Sequence, residues 1–156
     1  MRVERCASPG AEWDAFVEGH AGATLAHAAA WARVVREAYG LEPHYLVARD
    51  DAGAIAGVLP LVRLRNLRGA LELVSMPYLD TGGVLAPEAD AEVALLEAAF
   101  ALAREAGARA IDLRQATPLR GRDAAAFSDR VDLALPLAAD SDAQWNALSA
   151  TVRNQT

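Results

Sequence analysis

The stretch HYLVARDDAGAIAGVLPLVRLRNLRGALELVSM, residues 44–76, carries the clearest structural pattern in the chain. Runs of apolar and β-branched residues, which favour strands, alternate here with groups of Asp, Asn and Gly, which favour turns. The pattern predicts three strands, at 44–49, Ala54–Leu64 and Leu71–Met76. The connections between them are short enough for hairpins, so the sequence predicts an antiparallel meander.

On both sides of the meander the periodicity changes to that of helices. The expected elements before it are a strand over Arg2–Ala7, a helix that begins at Ser8-Pro9, and a helix over Ala26–Tyr39 that Gly40 ends. After the meander we expect a helix over Ala89–Ala106 that Gly107 ends, a strand over Arg109–Gln115 and a polar loop over Thr117–Phe127. A strand over Arg130–Leu137 follows, and then a helix that begins at Asp140 or Asp142 and is still in progress at Thr156. This order predicts an α/β (α+β) fold with a mixed, mainly antiparallel sheet and helices on both faces.

The composition of the chain excludes some classes of function. The 156 residues fit one domain, and the formal net charge of −6 argues against general nucleic-acid binding. All 15 basic residues are Arg, as is typical of GC-rich bacterial genomes, which excludes lysine Schiff-base chemistry within the chain. Cys6 is the single cysteine, the first residues lack the apolar core of a signal peptide, and no apolar stretch is long enough to span a bilayer. These features predict a cytoplasmic protein without a transmembrane segment.

The element order resembles that of the GNAT acyltransferases, in which two helices follow the first strand and a meander precedes the third helix. In that family a Gln/Arg-x-x-Gly-x-Gly/Ala pattern between the fourth strand and the third helix cradles the CoA pyrophosphate. Here that link holds SMPYLDTGG, residues 75–83, and contains no Gln or Arg between Ser75 and Glu88. The nearest match, 104–109, lies at the wrong end of a helix, so CoA binding by this chain is not expected.

A closer resemblance is to FemAB-like proteins, which include peptidoglycan-bridge peptidyltransferases and relatives found beside exosortase/PEP-CTERM systems. The matching segments are ATLAHAAAW (23–31), GVLPLVRL (57–64), SMPYLDTGG (75–83), IDLRQ (111–115) and LSATVRN (148–154). Such proteins consist of two GNAT-like halves, and the chain is similar to the first. The resemblance therefore implies a half-domain over 1–139, followed at 140–156 by the start of a helix that leads into a missing second half. It implies acyl-CoA or aminoacyl-tRNA as the donor of the complete protein, with no cofactor held by this part.

The resemblance also suggests acceptor-side residues, each of which has a simpler structural alternative. Trp31 suits core packing. Arg33 and Arg36 follow it, near the position where the peptidoglycan branch has a lysine that binds an acceptor phosphate. The simpler alternative is that both arginines are ordinary residues of an exposed helix surface. Tyr78, Asp80, Gly82 and Gly83 form either an acceptor loop, with the glycine N–H groups turned outward, or a simple turn. Arg114 either reaches the cleft or pairs with Asp112 or Glu72. The histidines His20, His27 and His44 are too widely spaced to predict a metal site.

Two functions remain open at this point. The first is the acceptor-side part of a FemAB-like acyl or aminoacyl transferase, which acts on a small-molecule or envelope-precursor acceptor and is inactive without its second half. The second is a non-catalytic binding or scaffolding module of envelope or exopolysaccharide assembly. If the chain is the first half of such a transferase, the apolar surface that would normally pack on the second half is exposed and would favour a homodimer.

Overall fold

The computed structural model describes residues 1–120 and 135–154. The chain divides into two compact units, Met1–Asp123 and Ala124–Thr156. Its strands are β1 (Arg2–Cys6), β2 (Glu42–Pro43), β3 (Tyr45–Arg49), β4 (Ile55–Leu59), β5 (Leu61–Arg65), β6 (Leu71–Ser75) and β7 (Ala110–Asp112). Its helices are α1 (Ala11–Glu18), α2 (Ala30–Glu37) and α3 (Ala89–Ala106), and a 3-10 turn spans Leu25–His27.

The strands form two sheets, with orders β1-β3-β4 and β2-β5-β6-β7. Every pairing is antiparallel except β6 with β7, which is parallel. The predicted α+β fold with a mainly antiparallel arrangement is thus confirmed. The strands do not share one sheet, however, and the strand predicted over Ala54–Leu64 is in fact two strands.

Pro60 explains this division. It has no N–H to donate to a ladder, so it separates β4, which pairs with β3, from β5, which pairs with β6. The alternation of side chains nevertheless continues across it. Val58 and Val62 lie in one hydrophobic cluster, while Leu59 and Leu61 lie in the other.

These two clusters cover opposite faces of the strands, as β3 illustrates. Tyr45 and Val47 pack with the residues of α1 and α2, whereas Leu46 and Ala48 pack with those of α3. The helices therefore lie on both faces, as the sequence predicted.

The long helix α3 has the predicted bounds for reasons visible in its sequence. Asp90 and Glu92 stand in its first turn, where carboxylates are favourable, and Gly107 ends it with φ 67°. The other helices differ from expectation. α1 begins two residues after Pro9, and Ala28, with ψ 137°, separates the 3-10 turn from α2 within the helix predicted over Ala26–Tyr39. Gly40, with φ 64°, still follows α2 as expected.

The second unit contains two short helices in its described part, α4 (Ser141–Ala147) and α5 (Ala150–Arg153). Asp140 caps α4 through its Oδ1 atom, which accepts from the N–H of Ala143 at 2.8 Å. The single helix predicted onward from this point is wrong, because Leu148 is extended (ψ 144°) and Ser149 begins a new helix. Residues 135–137 are in no strand. The rest of the strand predicted over Arg130–Leu137 and most of the loop predicted over Thr117–Phe127 lie outside the described residues.

Within the described ranges, the helices are all too short or too polar to cross a bilayer.

The contact between β4 and α3 is tight enough to test by substitution. A Cβ atom on Gly57 would lie 3.0 Å from both the Cβ of Ala86 and the Cδ1 of Leu95. We expect Gly57→Val to lower the free energy of unfolding by about 1–3 kcal/mol, as overpacking does, in urea denaturation. Ala54→Val, a change of similar kind at an exposed position, is the control and should stay within about 0.5 kcal/mol of wild type. Equal behaviour of the two variants would contradict this packing.

Candidate functional site

The connection from β6 to α3, which contains most of SMPYLDTGG, has an unusual backbone. Met76 and Tyr78 have φ angles of 47° and 72°, a region that residues other than glycine rarely adopt. Met76 is fully buried, and the hydroxyl of Tyr45 donates to its sulfur at 3.2 Å. The N–H of Leu79 donates to the carbonyl of Met76 at 3.3 Å. The connection therefore begins as a tight, anchored turn.

Gly82 and Gly83 are tied to the segment that follows β7. Their N–H groups both donate to the carbonyl oxygen of Arg114, at 3.0 and 3.2 Å. The alternative in which these glycine N–H groups turn outward toward an acceptor is therefore wrong. The reason is topological: β7 runs parallel beside β6, so the chain leaving β7 lies along the chain leaving β6 and supplies an acceptor.

A glycine is required at residue 82 on steric grounds as well. Its φ of 153° lies in the region that favours glycine, and an added Cβ would lie 2.9 Å from the Cβ of Ala26. The loop thus passes directly against the 3-10 turn.

Gln115 holds the next residue of the loop. Its side-chain amide donates to the carbonyl of Val84 at 3.0 Å and accepts from the N–H of Val84 at 2.8 Å. The side chain thereby reproduces both bonds that a neighbouring strand would make. Together with the carbonyl of Arg114, it fixes the backbone over 82–84.

His27 connects the loop to the helical side of the protein. Its Nδ1 atom accepts from the N–H of Thr24 at 3.1 Å, which leaves the proton on Nε2 to donate to the carbonyl of Gly83 at 3.2 Å. The indole N–H of Trp13 donates to the carbonyl of His27 itself at 2.6 Å. Burial lowers the pKa of the imidazole below its ordinary value, so His27 is neutral near pH 7.

These elements enclose a cavity of about 310 Å³, which lies within the first unit. Thr81–Ala86 line one part of it, which we call its floor, and the other lining residues come from the segment before α2, the first turn of α3 and the segment after β7. The polar side chains that line it are those of His20, Thr24, His27, Thr81, Glu92, Gln115, Thr117 and Arg120. The cavity lining is therefore mixed, with apolar parts supplied by residues such as Val84, Leu85 and Pro118.

One ion pair stands at the edge of this cavity. Glu92 is 5% exposed, and its Oε2 atom lies 3.2 Å from the Nε of Arg120. The backbone N–H of Arg120 also donates to Glu92 Oε1. The guanidinium donates further to the carbonyls of Ala86, at 2.8 Å, and Pro87, at 3.0 Å.

The candidate residues chosen from the sequence occupy different places. Gly82, Gly83 and Arg114 come together, and the guanidinium of Arg114 donates to the carbonyl of Leu79 at 2.6 Å. Its Nε is 4.0 Å from a carboxylate oxygen of Asp112, whereas Glu72 accepts from Asn66 instead. Arg114 therefore acts mainly on the backbone of the loop.

Tyr78 and Asp80 are exposed. The ring of Tyr78 stacks on that of Tyr39 just beyond α2, with 4.6 Å between centroids. Arg33 is exposed, and Arg36 donates to the carbonyl of Ala7 at 2.7 Å. None of these four side chains lines the cavity. Trp31 is half-buried against the core and donates to the carbonyl of Leu25.

Sequence reasoning missed the residues that build the cavity walls, above all His27, Glu92, Gln115 and Arg120. No local pattern marks them, because each acts on a partner far away in the chain. Within the described residues, no group of His, Cys, Asp and Glu is suited to hold a metal ion.

The chain matches no protein-family model, and no curated protein is significantly similar to it.

The pKa of His27 has a consequence for stability. Above about pH 6.5 the imidazole is neutral in both states, so the full stability is present. As the pH falls through that value, the unfolded chain binds a proton that the folded protein resists, and the free energy of unfolding should decrease. Urea denaturation between about pH 7.5 and 5.5 measures this loss.

His27→Gln provides the comparison, since Gln can donate and accept but does not titrate. Its stability should depend less on pH over this range, while His20→Gln should behave like wild type. An unchanged slope in His27→Gln would contradict a neutral, buried His27.

Proposed function

We propose that this chain is the acceptor-side part of a FemAB-like acyl or aminoacyl transferase and that it needs a second half for activity. The observation that carries the proposal is the cavity lined by Thr81–Ala86, near the ends of β6 and β7. Ligand sites in mixed sheets commonly form at such strand ends, on loops held by a rigid scaffold. The backbone here is held by Arg114, Gln115 and His27, so the cavity is preformed.

The donor would bind elsewhere. The first turn of α3 carries Asp90 and Glu92, and Glu88 precedes it. A CoA pyrophosphate at this helix N-terminus would meet carboxylates, which offsets the attraction of the helix dipole. Acyl-CoA or aminoacyl-tRNA is therefore assigned to the proposed second half, and the acceptor, a small molecule or an envelope precursor, to this part. Catalysis would take place in the bacterial cytoplasm, and without the second half the chain would form homodimers through the uncovered apolar surface.

The cavity chemistry fits an acceptor better than a reaction centre. Within the described part of the chain, the side chains of His27, Gln115 and Arg120 are committed to backbone carbonyls, N–H groups or Glu92. Groups held in this way orient a ligand by shape and hydrogen bonding but leave little freedom for proton transfer.

The same observation favours the second candidate, a binding or scaffolding module of envelope or exopolysaccharide assembly that has no chemistry of its own. The two candidates differ in whether a transferred group ever reaches the bound ligand.

Substitutions in the exposed part of the loop test the transferase proposal. An acceptor longer than the cavity would also contact the outer part of the same loop. In the protein completed by its second half, Tyr78→Phe and Asp80→Asn should therefore each reduce transfer per folded molecule by about fivefold, the equivalent of one hydrogen bond of about 1 kcal/mol. Thermal unfolding should change little, because both side chains are exposed. Tyr39→Phe keeps the stacked ring and removes a hydroxyl two residues beyond the end of α2, so it is the matched control.

If the Tyr78 and Asp80 variants lose stability while transfer per folded molecule is unchanged, the exposed loop is structural. If the complete protein binds acceptors but transfers nothing from either donor class, the binding module is correct.

A further inference from the structure

Three oxygen acceptors converge on one cation at the edge of the cavity. They are the carboxylate of Glu92 and the carbonyls of Ala86 and Pro87, which together bind Nε, Nη2 and Nη1 of the Arg120 guanidinium. We call these three acceptors the Glu92 cradle. It forms part of the cavity wall, since Ala86, Glu92 and Arg120 all line the cavity.

The two sides of this interaction differ in how firmly they are held. Glu92 belongs to the 18-residue helix α3 and is 5% exposed, and the chain leading to Ala86 is fixed at Val84 by Gln115 and at Leu85 by bonds with Val58. Arg120 is the last of the described residues 113–120, which are in neither helix nor strand, and its side chain is 47% exposed. The cradle is therefore a rigid receptor, and Arg120 is the part that can leave with least disruption.

Whatever replaces Arg120 must carry a positive charge. A carboxylate as deeply buried as Glu92 is strongly destabilising when its partner is removed, because the charge is then left unpaired away from water. An uncharged ligand cannot compensate for this, whereas an ammonium or guanidinium group supplies both the charge and the N–H donors that the two carbonyls accept.

We propose that the Glu92 cradle is a cation subsite of the cavity, which takes the ammonium or guanidinium group of a ligand, and that Arg120 is its internal occupant. Arg120 then limits access to the subsite until a ligand displaces it. The inference rests on the proposed function and deepens it, because it makes the acceptor a molecule that carries a positively charged nitrogen group. It concerns binding alone and requires no transfer step.

Removal of the internal occupant tests the subsite directly. In Arg120→Ala, methylguanidinium should bind at the cradle, observed as chemical-shift changes of the Ala86 and Glu92 amides and as a rise in thermal stability with ligand concentration. Wild type should bind the same probe at least about tenfold more weakly, because displacement of Arg120 opposes binding. Methylurea, which has nearly the same shape but no charge, should bind to neither.

The double variant Arg120→Ala/Glu92→Gln is the matched control, since it keeps the shape of the cradle and removes its charge. If it binds methylguanidinium as well as Arg120→Ala does, or if Arg120→Ala does not bind the probe, the subsite does not exist and the ion pair is purely structural. Should Arg120→Ala be unfolded, refolding in methylguanidinium but not in methylurea supports the subsite, and failure to refold in either overturns it.

These outcomes are independent of catalysis. Transfer activity in a protein whose cradle binds no cation would overturn the subsite and leave the transferase proposal intact. A cradle that binds cations in a complete protein without transfer activity would support the subsite and the binding module together.

Discussion

The carbonyl oxygen of Arg114 accepts hydrogen bonds from the N–H groups of both Gly82 and Gly83, and the shape of the candidate site depends on this interaction. It joins the two chain segments that leave the parallel pair of β6 and β7. Without this interaction, the connection from β6 to α3 would not be held against the segment that follows β7. The floor of the cavity would then be an open loop. Two side chains add to this restraint. Gln115 binds the backbone of the next residue, Val84, and His27 binds the carbonyl of Gly83 and so connects the loop to the 3-10 turn. The N–H groups of Gly82, Gly83 and Val84 and the carbonyls of Gly83 and Val84 are thereby satisfied internally, as buried polar groups usually are.

The loop combines this restraint with local strain. Met76 and Tyr78 hold left-handed backbone angles that cost about 1 kcal/mol or more each, and such positions persist when the surrounding structure determines them. Burial holds Met76, whereas Tyr78 is exposed and has its stacking contact with Tyr39. An exposed aromatic residue in a strained conformation contributes little to the core, which is consistent with a role for the outer part of the loop in binding.

Local patterns in the sequence predicted the elements whose causes are local. The helix α3 has its carboxylates, apolar register and final glycine within 19 residues, 89–107, and its bounds were correct. The alternating pattern over 54–64 predicted a strand but not its division, because the alternation continues through Pro60 while the pairing partner changes. The break within 26–39 was missed because the alanine-rich sequence suits a helix throughout, whereas in the structure Ala28 is extended and separates the 3-10 turn from α2.

The candidate site was less predictable for a related reason. SMPYLDTGG stands out by composition, so its position was found, but the direction of the glycine N–H groups depends on Arg114, about 30 residues later. His27 and Gly83 are 56 positions apart, and Glu92 and Arg120 are 28 apart. A single sequence contains no signal for such pairs. The FemAB-like resemblance remains a prediction.

Native-state hydrogen exchange of the loop amides tests most directly the claim that the cavity is preformed. The amides of Gly82, Gly83 and Val84 should exchange about as slowly as those of β6, for example Leu73, because all three are bonded within a packed site. Gln115→Leu should accelerate exchange at Val84 most strongly, because Gln115 accepts that N–H. Exchange of these three amides in the wild type at the rate of an unstructured peptide would mean that the loop is open in solution. The account of a rigid acceptor cavity would then be wrong.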